Sequence, residues 1–225
     1  MYKPNHTLLL IPAVLILLLS SCAKEDWKDH YEEDETADFY AILTIKKTPT
    51  DTVYLQLDDS TTIFATNMQR GFTRMQKLFC DITITNRPVG RFNYKGEINW
   101  MEPIEEGKLT NTPSLQDELG LDIVEDWMTS VEDGYLTVHY NTMWGLNPVQ
   151  HKHYLITGSN PEDPYEVILK QDACGDKKEE EGDALICFDI NSLPDTGDDY
   201  KELTLKWTNS GGEASSKQFK FKTRK

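Results

Sequence analysis

The chain has 225 residues, with 38 acidic against 23 basic side chains and a formal net charge of −15. That sign excludes a protein that holds nucleic acid through a basic surface, because phosphate recognition needs clustered Lys and Arg. It also argues against direct adhesion of a folded part to an anionic bilayer. The length fits one large or two small domains, and the Val, Ile, Leu and aromatic content is enough to bury a core.

Residues 1–21 read MYKPNHTLLLIPAVLILLLSS, with Lys3 as the positive start, an apolar run from Leu8 to Leu19, and small Ser20 and Ser21 before Cys22. This is the layout of a secretory signal peptide, and the apolar run is too short to span a bilayer, which takes about 20 residues. Leu19-Ser20-Ser21-Cys22 resembles the lipobox of bacterial lipoproteins. The resemblance implies a diacylglycerol on the Cys22 thiol, cleavage before Cys22 and acylation of its amine. Two or more such signals give stable membrane attachment, where a single acyl chain holds only marginally. Removing the leader takes away one lysine and no acid, so the remainder is one charge more negative.

Residues 22–38 form an acidic stretch without apolar periodicity, read as a tether of roughly 20 Å reach at about 5–6 Å times the square root of its length. Trp27 and Tyr31 interrupt it. Lys24-Glu25-Asp26, just after the cysteine, resembles the export signal that routes Bacteroidota lipoproteins to the outer face of the outer membrane. Otherwise it is a solvated acidic linker.

From Phe39 the pattern changes to short β-rich runs bounded by turn residues. Strands are expected at 39–45, 53–57, 61–66, 78–85 and 92–104, with Asp58-Asp59-Ser60 and Asn86-Arg87-Pro88-Val89-Gly90 as turns. Five strands in about 70 residues suit a small barrel of OB type at 39–107. Residues 108–120 are polar, carry Pro113 and Gly120, and read as a junction, with one or two helical turns at 114–119 capped by Ser114. Seven more strands are expected over 121–225, beginning with 122–131 and 135–141 around the turn Glu132-Asp133-Gly134. The others are 153–157, 165–170, 184–190, 203–207 and 218–222, and the last two alternate cleanly. Seven short strands in about 100 residues is the pattern of a β-sandwich. The expected class is therefore all-β, a five-stranded OB-type barrel followed by a seven-stranded β-sandwich.

Two stretches carry a family resemblance. One is Leu57-Asp58-Asp59-Ser60-Thr61-Thr62-Ile63 with Phe92-Asn93-Tyr94-Lys95-Gly96-Glu97-Ile98. The other is Cys174-Gly175-Asp176 with Ile186-Cys187-Phe188-Asp189-Ile190-Asn191-Ser192-Leu193. Together with Gly134-Tyr135-Leu136-Thr137-Val138 and the lipobox, they resemble the NigD-like lipoproteins of Bacteroidota. The resemblance covers most of the chain after Cys22 and departs from the family pattern around 67–76. It implies an N-terminal OB-type domain and a C-terminal sandwich, takes its name from a bacteriocin operon, and brings no catalytic residues and no cofactor.

Several residues could carry chemistry. His151 and His153 share one side of an extended segment, and with His139 they are candidate zinc ligands, though no suitably spaced fourth ligand is evident. Cys174 and Cys187 would face each other if their flanking strands formed a hairpin, and could then close a disulfide. Cys80 alternates with Ile82 and Ile84 and reads as core. The loop Asp195-Thr196-Gly197-Asp198-Asp199 has calcium-ligand residue types without EF-hand spacing. No nucleophile elbow, His-Glu-x-x-His or P-loop is present. Aromatics are the better lead: Trp100, Trp127, Tyr140 and Trp144 fall near strand ends or loops. Trp144, in Met143-Trp144-Gly145-Leu146-Asn147-Pro148, is the favoured binding residue. The function expected is a non-catalytic binding lipoprotein of the cell envelope, for a protein, peptide or glycan. The alternatives are a bacteriocin-associated, immunity-like lipoprotein and a surface hydrolase.

Overall fold

The computed structural model describes residues 36–68 and 76–224. Cys22, Lys24, Glu25, Asp26, Trp27 and Tyr31 therefore lie outside the described residues, as does most of the departure at 67–76. Among the described residues there is no helix long and apolar enough to cross a membrane.

The first five strands are β1 (Thr36–Lys47), β2 (Val53–Gln56), β3 (Thr62–Ala65), β4 (Gln76–Thr85) and β5 (Tyr94–Pro103). They close into a barrel in the order β1-β2-β3-β5-β4. Only the β3–β5 pairing is parallel. This is the OB-type barrel that the turn spacing predicts. Strict alternation explains its core: Leu78, Cys80, Ile82 and Ile84 of β4 point inward with Leu43, Ile45, Leu55 and Ile63, all 1% exposed or less. A Cβ on Gly96 would lie 2.7 Å from Ile63 Cγ2, so glycine lets β3 and β5 meet over that side chain. The Asp58 carboxylate holds the β2–β3 turn by accepting the amides of Ser60 and Thr61 at 2.7 and 2.8 Å. The barrel starts earlier than the sequence reading allows. Residues 36–38, assigned to the tether, pair with Thr85, Ile84 and Thr83.

The remaining strands are β6 (Glu105–Glu106), β7 (Lys108–Thr110), β8 (Glu118–Leu119), β9 (Asp122–Ile123), β10 (Ser130–Glu132) and β11 (Tyr135–Trp144). They continue as β12 (Lys152–Ile156), β13 (Glu166–Asp172), β14 (Glu180–Asp189), β15 (Lys201–Thr208) and β16 (Ala214–Phe221). One sheet runs β10-β11-β14-β6 with β9 also on β11; the other runs β16-β15-β13-β12-β7 with β8 also on β13. Leu136, Val138, Phe188, Leu155, Val167, Leu203 and Leu205 fill the space between them, each with no exposed surface. Glu132-Asp133-Gly134-Tyr135 makes the expected hairpin. Asp133 and Gly134 have φ of 54° and 75°, the paired left-handed conformation of a type I′ turn.

The segment read as a junction belongs to the sandwich. β6 and β7 leave the barrel directly and join opposite sheets, crossing at Gly107, where a Cβ would sit 2.2 Å from the buried ring of Phe188. The helical turns expected at 114–119 do not form. The Asp172 carboxylate accepts the amides of Gln116 and Asp117, and Glu118 and Leu119 pair with β13, so those backbone groups are committed to the sheet. The single strand expected at 122–131 is two short strands around a turn.

A third apolar cluster joins the two domains: Ile42, Ile104 and Cys187, with Phe79, Met128 and Leu185 against them. The tip of the β10–β11 hairpin docks beside it. The Lys46 ammonium donates to Asp133 at 2.5 Å, and the Asp133 amide donates to Asp59 at 3.2 Å. Asp59 also accepts from the Tyr200 hydroxyl at 2.7 Å and pairs with the Arg224 guanidinium. Lys77 is buried at the same junction, its ammonium 5.5 Å from the centre of the Tyr135 ring.

Candidate functional site: an aromatic platform across the domain junction

Tyr40, Trp100 and Trp127 are 62%, 45% and 56% exposed, high values for such large apolar side chains. They are not scattered. The Phe79 ring lies at the centre, 5.9 Å from Tyr40 in a stacked arrangement, 5.7 Å edge-on to Trp100 and 6.3 Å from Trp127. Tyr40 comes from β1, Phe79 from β4 and Trp100 from β5, whereas Trp127 comes from the sandwich. The platform therefore exists only because the domains are packed together, and it lies directly over the cluster that packs them. A contiguous exposed apolar patch of this kind marks an interaction site far more often than isolated exposed residues do.

Two local devices aim the rings. On β5, the register against β4 shifts between Asp81 and Ile82: Asp81 faces Trp100, Ile82 faces Ile98, and Asn99 is left over as a β-bulge. The Asn99 amide donates to Asp81 at 3.3 Å and to the Thr83 hydroxyl at 3.0 Å, so Asn99 and Trp100 both lie on the outer face. The Thr83 hydroxyl in turn donates to Asp38, making a polar row beside the rings. On the sandwich side, Trp127 sits at the tip of the turn between β9 and β10. Asp126 accepts from the Met128 amide at 2.9 Å and is bonded to His139 Nδ1 at 2.7 Å. The Thr129 hydroxyl donates to the Val124 carbonyl at 2.8 Å and accepts the His139 amide at 3.1 Å. The turn is fixed before any ligand arrives, which reduces the ordering cost of binding.

The three histidines are not brought together. Alternation on β11 sends Val138 and Tyr140 into the sandwich and His139 to its outer face, between Asp126 and Asp183. His151 is buried, with Nε2 at 3.1 Å from Asp176 and Nδ1 bonded to the Gln171 amide. His153 is 4% exposed beside the Tyr140 ring, and neither of its nitrogens has a hydrogen-bond partner. Among the described residues no group of His, Cys, Asp and Glu has the geometry of a metal site. Burial first, and then His151, hold His153 down to about 3. It stays neutral in the folded state while the unfolded chain takes up a proton near pH 6.5, so stability falls as pH drops below that value. His153→Leu is expected to raise stability by about 1–3 kcal/mol, by removing an unsatisfied buried imidazole, and to flatten this acid limb in urea titrations.

Cys174 and Cys187 do not form a disulfide. β13 and β14 lie in opposite sheets, so the stretch between the cysteines is a crossover and not a hairpin. Cys187 points to the domain junction, and Cys174 occupies the turn after β13 with φ of 55°. Trp144 is also not a surface platform. Its ring stacks on His151 at 4.1 Å, its Nε1 donates to the Gly182 carbonyl at 3.2 Å, and it packs against the sandwich core. Tyr140 is core, 2% exposed. Asp195 accepts from the Gly197 amide in its own loop and from the Thr223 hydroxyl after β16. An open cleft at the junction, about 570 Å³ and lined by Gln76, Pro103, Glu105, Glu106, Lys108 and Gln150 among others, contains two carboxylates. Glu105 and Glu106 are neighbours on one extended strand and point to opposite sides, unlike the facing pair that glycoside hydrolysis needs.

Fold and site together define an all-β protein in which an OB-type barrel and a β-sandwich share an exposed aromatic surface. Residues 106–221 match the model of the NigD-like C-terminal beta sandwich domain, and the chain belongs to the NigD-like family. Solved structures show the same architecture. A toxin-related protein from Parabacteroides distasonis is 20% identical at a TM-score of 0.67, covering 83% of this chain and 94% of its own. A NigD-like immunity protein from Bacteroides caccae is 14% identical at 0.57, covering 87% of this chain and all of its own (100%). A protein from Bacteroides fragilis described as a lipoprotein is 9% identical at 0.56, covering 84% of this chain and 100% of its own. At these identities the likeness is one of fold. No curated protein matches the chain by sequence.

Proposed function

We propose that the protein is a cell-envelope lipoprotein, anchored through Cys22 at the outer membrane, that acts as a non-catalytic binding protein. The observation that carries the binding role is the platform of Tyr40, Phe79, Trp100 and Trp127, assembled from both domains and held by a bulge and a braced turn. Exposed tryptophan and tyrosine rings on a rigid base give large contact area at small entropic cost, which is why such residues dominate binding hot spots. The lipobox and the Lys24-Glu25-Asp26 segment support anchoring and surface display. Protease treatment of intact cells should remove the folded part, and Cys22→Ala should move the protein from the membrane fraction to the soluble one. Full protection until lysis would place the folded part inside the envelope, and membrane retention of Cys22→Ala would refute the lipid anchor.

An immunity-like role is the second reading, favoured by the shared fold with the Bacteroides caccae protein named as an immunity protein. In that case the occupant of the platform would be a toxin or a toxin receptor.

A further inference from the structure

The barrel side of the platform is one-signed. The segments that build the platform, residues 38–42, 79–83, 97–102 and 124–129, contain Asp38, Asp81, Glu97, Glu102, Glu125 and Asp126 and no lysine or arginine. Asp38, Glu97 and Glu102 are exposed and Asp81 is half-exposed beside Trp100, whereas on the sandwich side Glu125 faces the Lys217 ammonium at 3.9 Å and Asp126 is bonded to His139. Lys77, the nearest cation along β4, is buried away from solvent, and Lys95 lies toward the far end of β5, opposite Thr85. The acidic rim matches the sign of the whole chain, −15. A rim of one sign around exposed rings repels anions and attracts cations, and long-range steering acts in the same direction.

From this complementarity we infer that the ligand of the platform is a cationic, amphipathic peptide segment, an inference that rests on the binding role proposed above. Its apolar side chains pack on Trp100, Trp127 and Tyr40. Its Lys and Arg side chains reach Asp38, Asp81 and Glu102, and they also lie over the electron-rich faces of the Trp and Tyr rings, the arrangement that cation–π attraction favours. A neutral glycan would use the rings alone and draw nothing from the one-signed rim. An acidic peptide or polysaccharide would be repelled.

The test uses the full chain, purified in detergent, with the same detergent alone as the blank. Three probes are titrated: a short lysine- and leucine-rich peptide, the same peptide with glutamate at every lysine, and maltoheptaose. The lysine peptide should bind at least ten-fold more tightly than the glutamate peptide and weaken as salt rises. Trp100→Ala with Trp127→Ala should lower that affinity at least ten-fold, and Glu102→Lys should lower it several-fold without touching a ring. Circular dichroism checks that each variant remains folded. Lysine-peptide binding that survives both ring substitutions would overturn the inference and the platform together, since it would be general attraction to an acidic protein. Maltoheptaose binding that the ring substitutions abolish, with no preference for the lysine peptide, would overturn the peptide inference and leave the platform standing.

Discussion

Asp133→Asn is expected to destabilise the protein by about 3–5 kcal/mol, the usual cost of removing one partner from a buried ion pair. Asp133 is 2% exposed and takes the Lys46 ammonium at 2.5 Å, while Lys46 itself is 19% exposed. Asparagine is the informative replacement because it tolerates the left-handed φ of 54° that the hairpin requires, so the turn survives and only the charge is lost. Two ammonium groups would then lose a compensating charge, because Asp133 also stabilises the charge on Lys77. The loss should fall on the docking of the hairpin against the barrel. A urea transition that separates into two steps, or shifts as a whole by that amount, would agree with this assignment. A midpoint within experimental error of the parent would refute it.

Lys77→Met should act in the opposite direction. Lys77 is 1% exposed, and burial, opposed mainly by Asp133, holds its ammonium down to about 8 from an ordinary value of 10.5. Glu132 and Cys187 also favour its charge, and Lys46 disfavours it. The charged form is therefore penalised on folding, by about 3 kcal/mol at pH 7 at 1.36 kcal/mol per unit. Between about pH 8 and 10.5 the unfolded chain holds a proton at this site that the folded one has released, so stability should climb from about pH 8 to 9, above which the buried Cys80 thiol, pushed up to about 12, opposes the rise. Methionine has a similar length and no charge, and should recover up to about 3 kcal/mol at pH 7 while abolishing the alkaline rise. A parent protein whose stability is flat from pH 8 to 9, at constant salt, would contradict the burial of a charged lysine. Because Asp133 and Lys77 interact, the double variant should not show the sum of the two single effects.

How much of this was legible in the sequence depends on whether a feature is local. The Glu132-Asp133-Gly134 turn, the alternation of Leu203, Leu205 and Trp207, and the five closely spaced barrel strands are local, and the fold class followed from them. The disulfide expectation failed because Cys174 and Cys187 are separated by a change of sheet, which looks like a hairpin loop along the chain. Trp144 precedes Gly145-Leu146-Asn147-Pro148, a run of turn residues, yet its own backbone is still in β11 and its ring turns back onto His151. Trp100 and Trp127 were visible as aromatic leads. Their meeting with Tyr40 and Phe79 was not, because it depends on a bulge at Asn99 and on the packing of one domain against another. The carboxylates around them are conspicuous only once the rings are seen to share a surface.

The central claim is that this surface is where the protein meets its partner. The most direct measurement is photocrosslinking on intact cells with benzoylphenylalanine placed at Tyr40, within the platform, and at Lys220, on the exposed outer side of β16. The account predicts a discrete adduct from position 40 that is absent from position 220 and disappears when Trp100 and Trp127 are both replaced by alanine. Equal labelling from the two positions, or a specific adduct from position 220 alone, would contradict it.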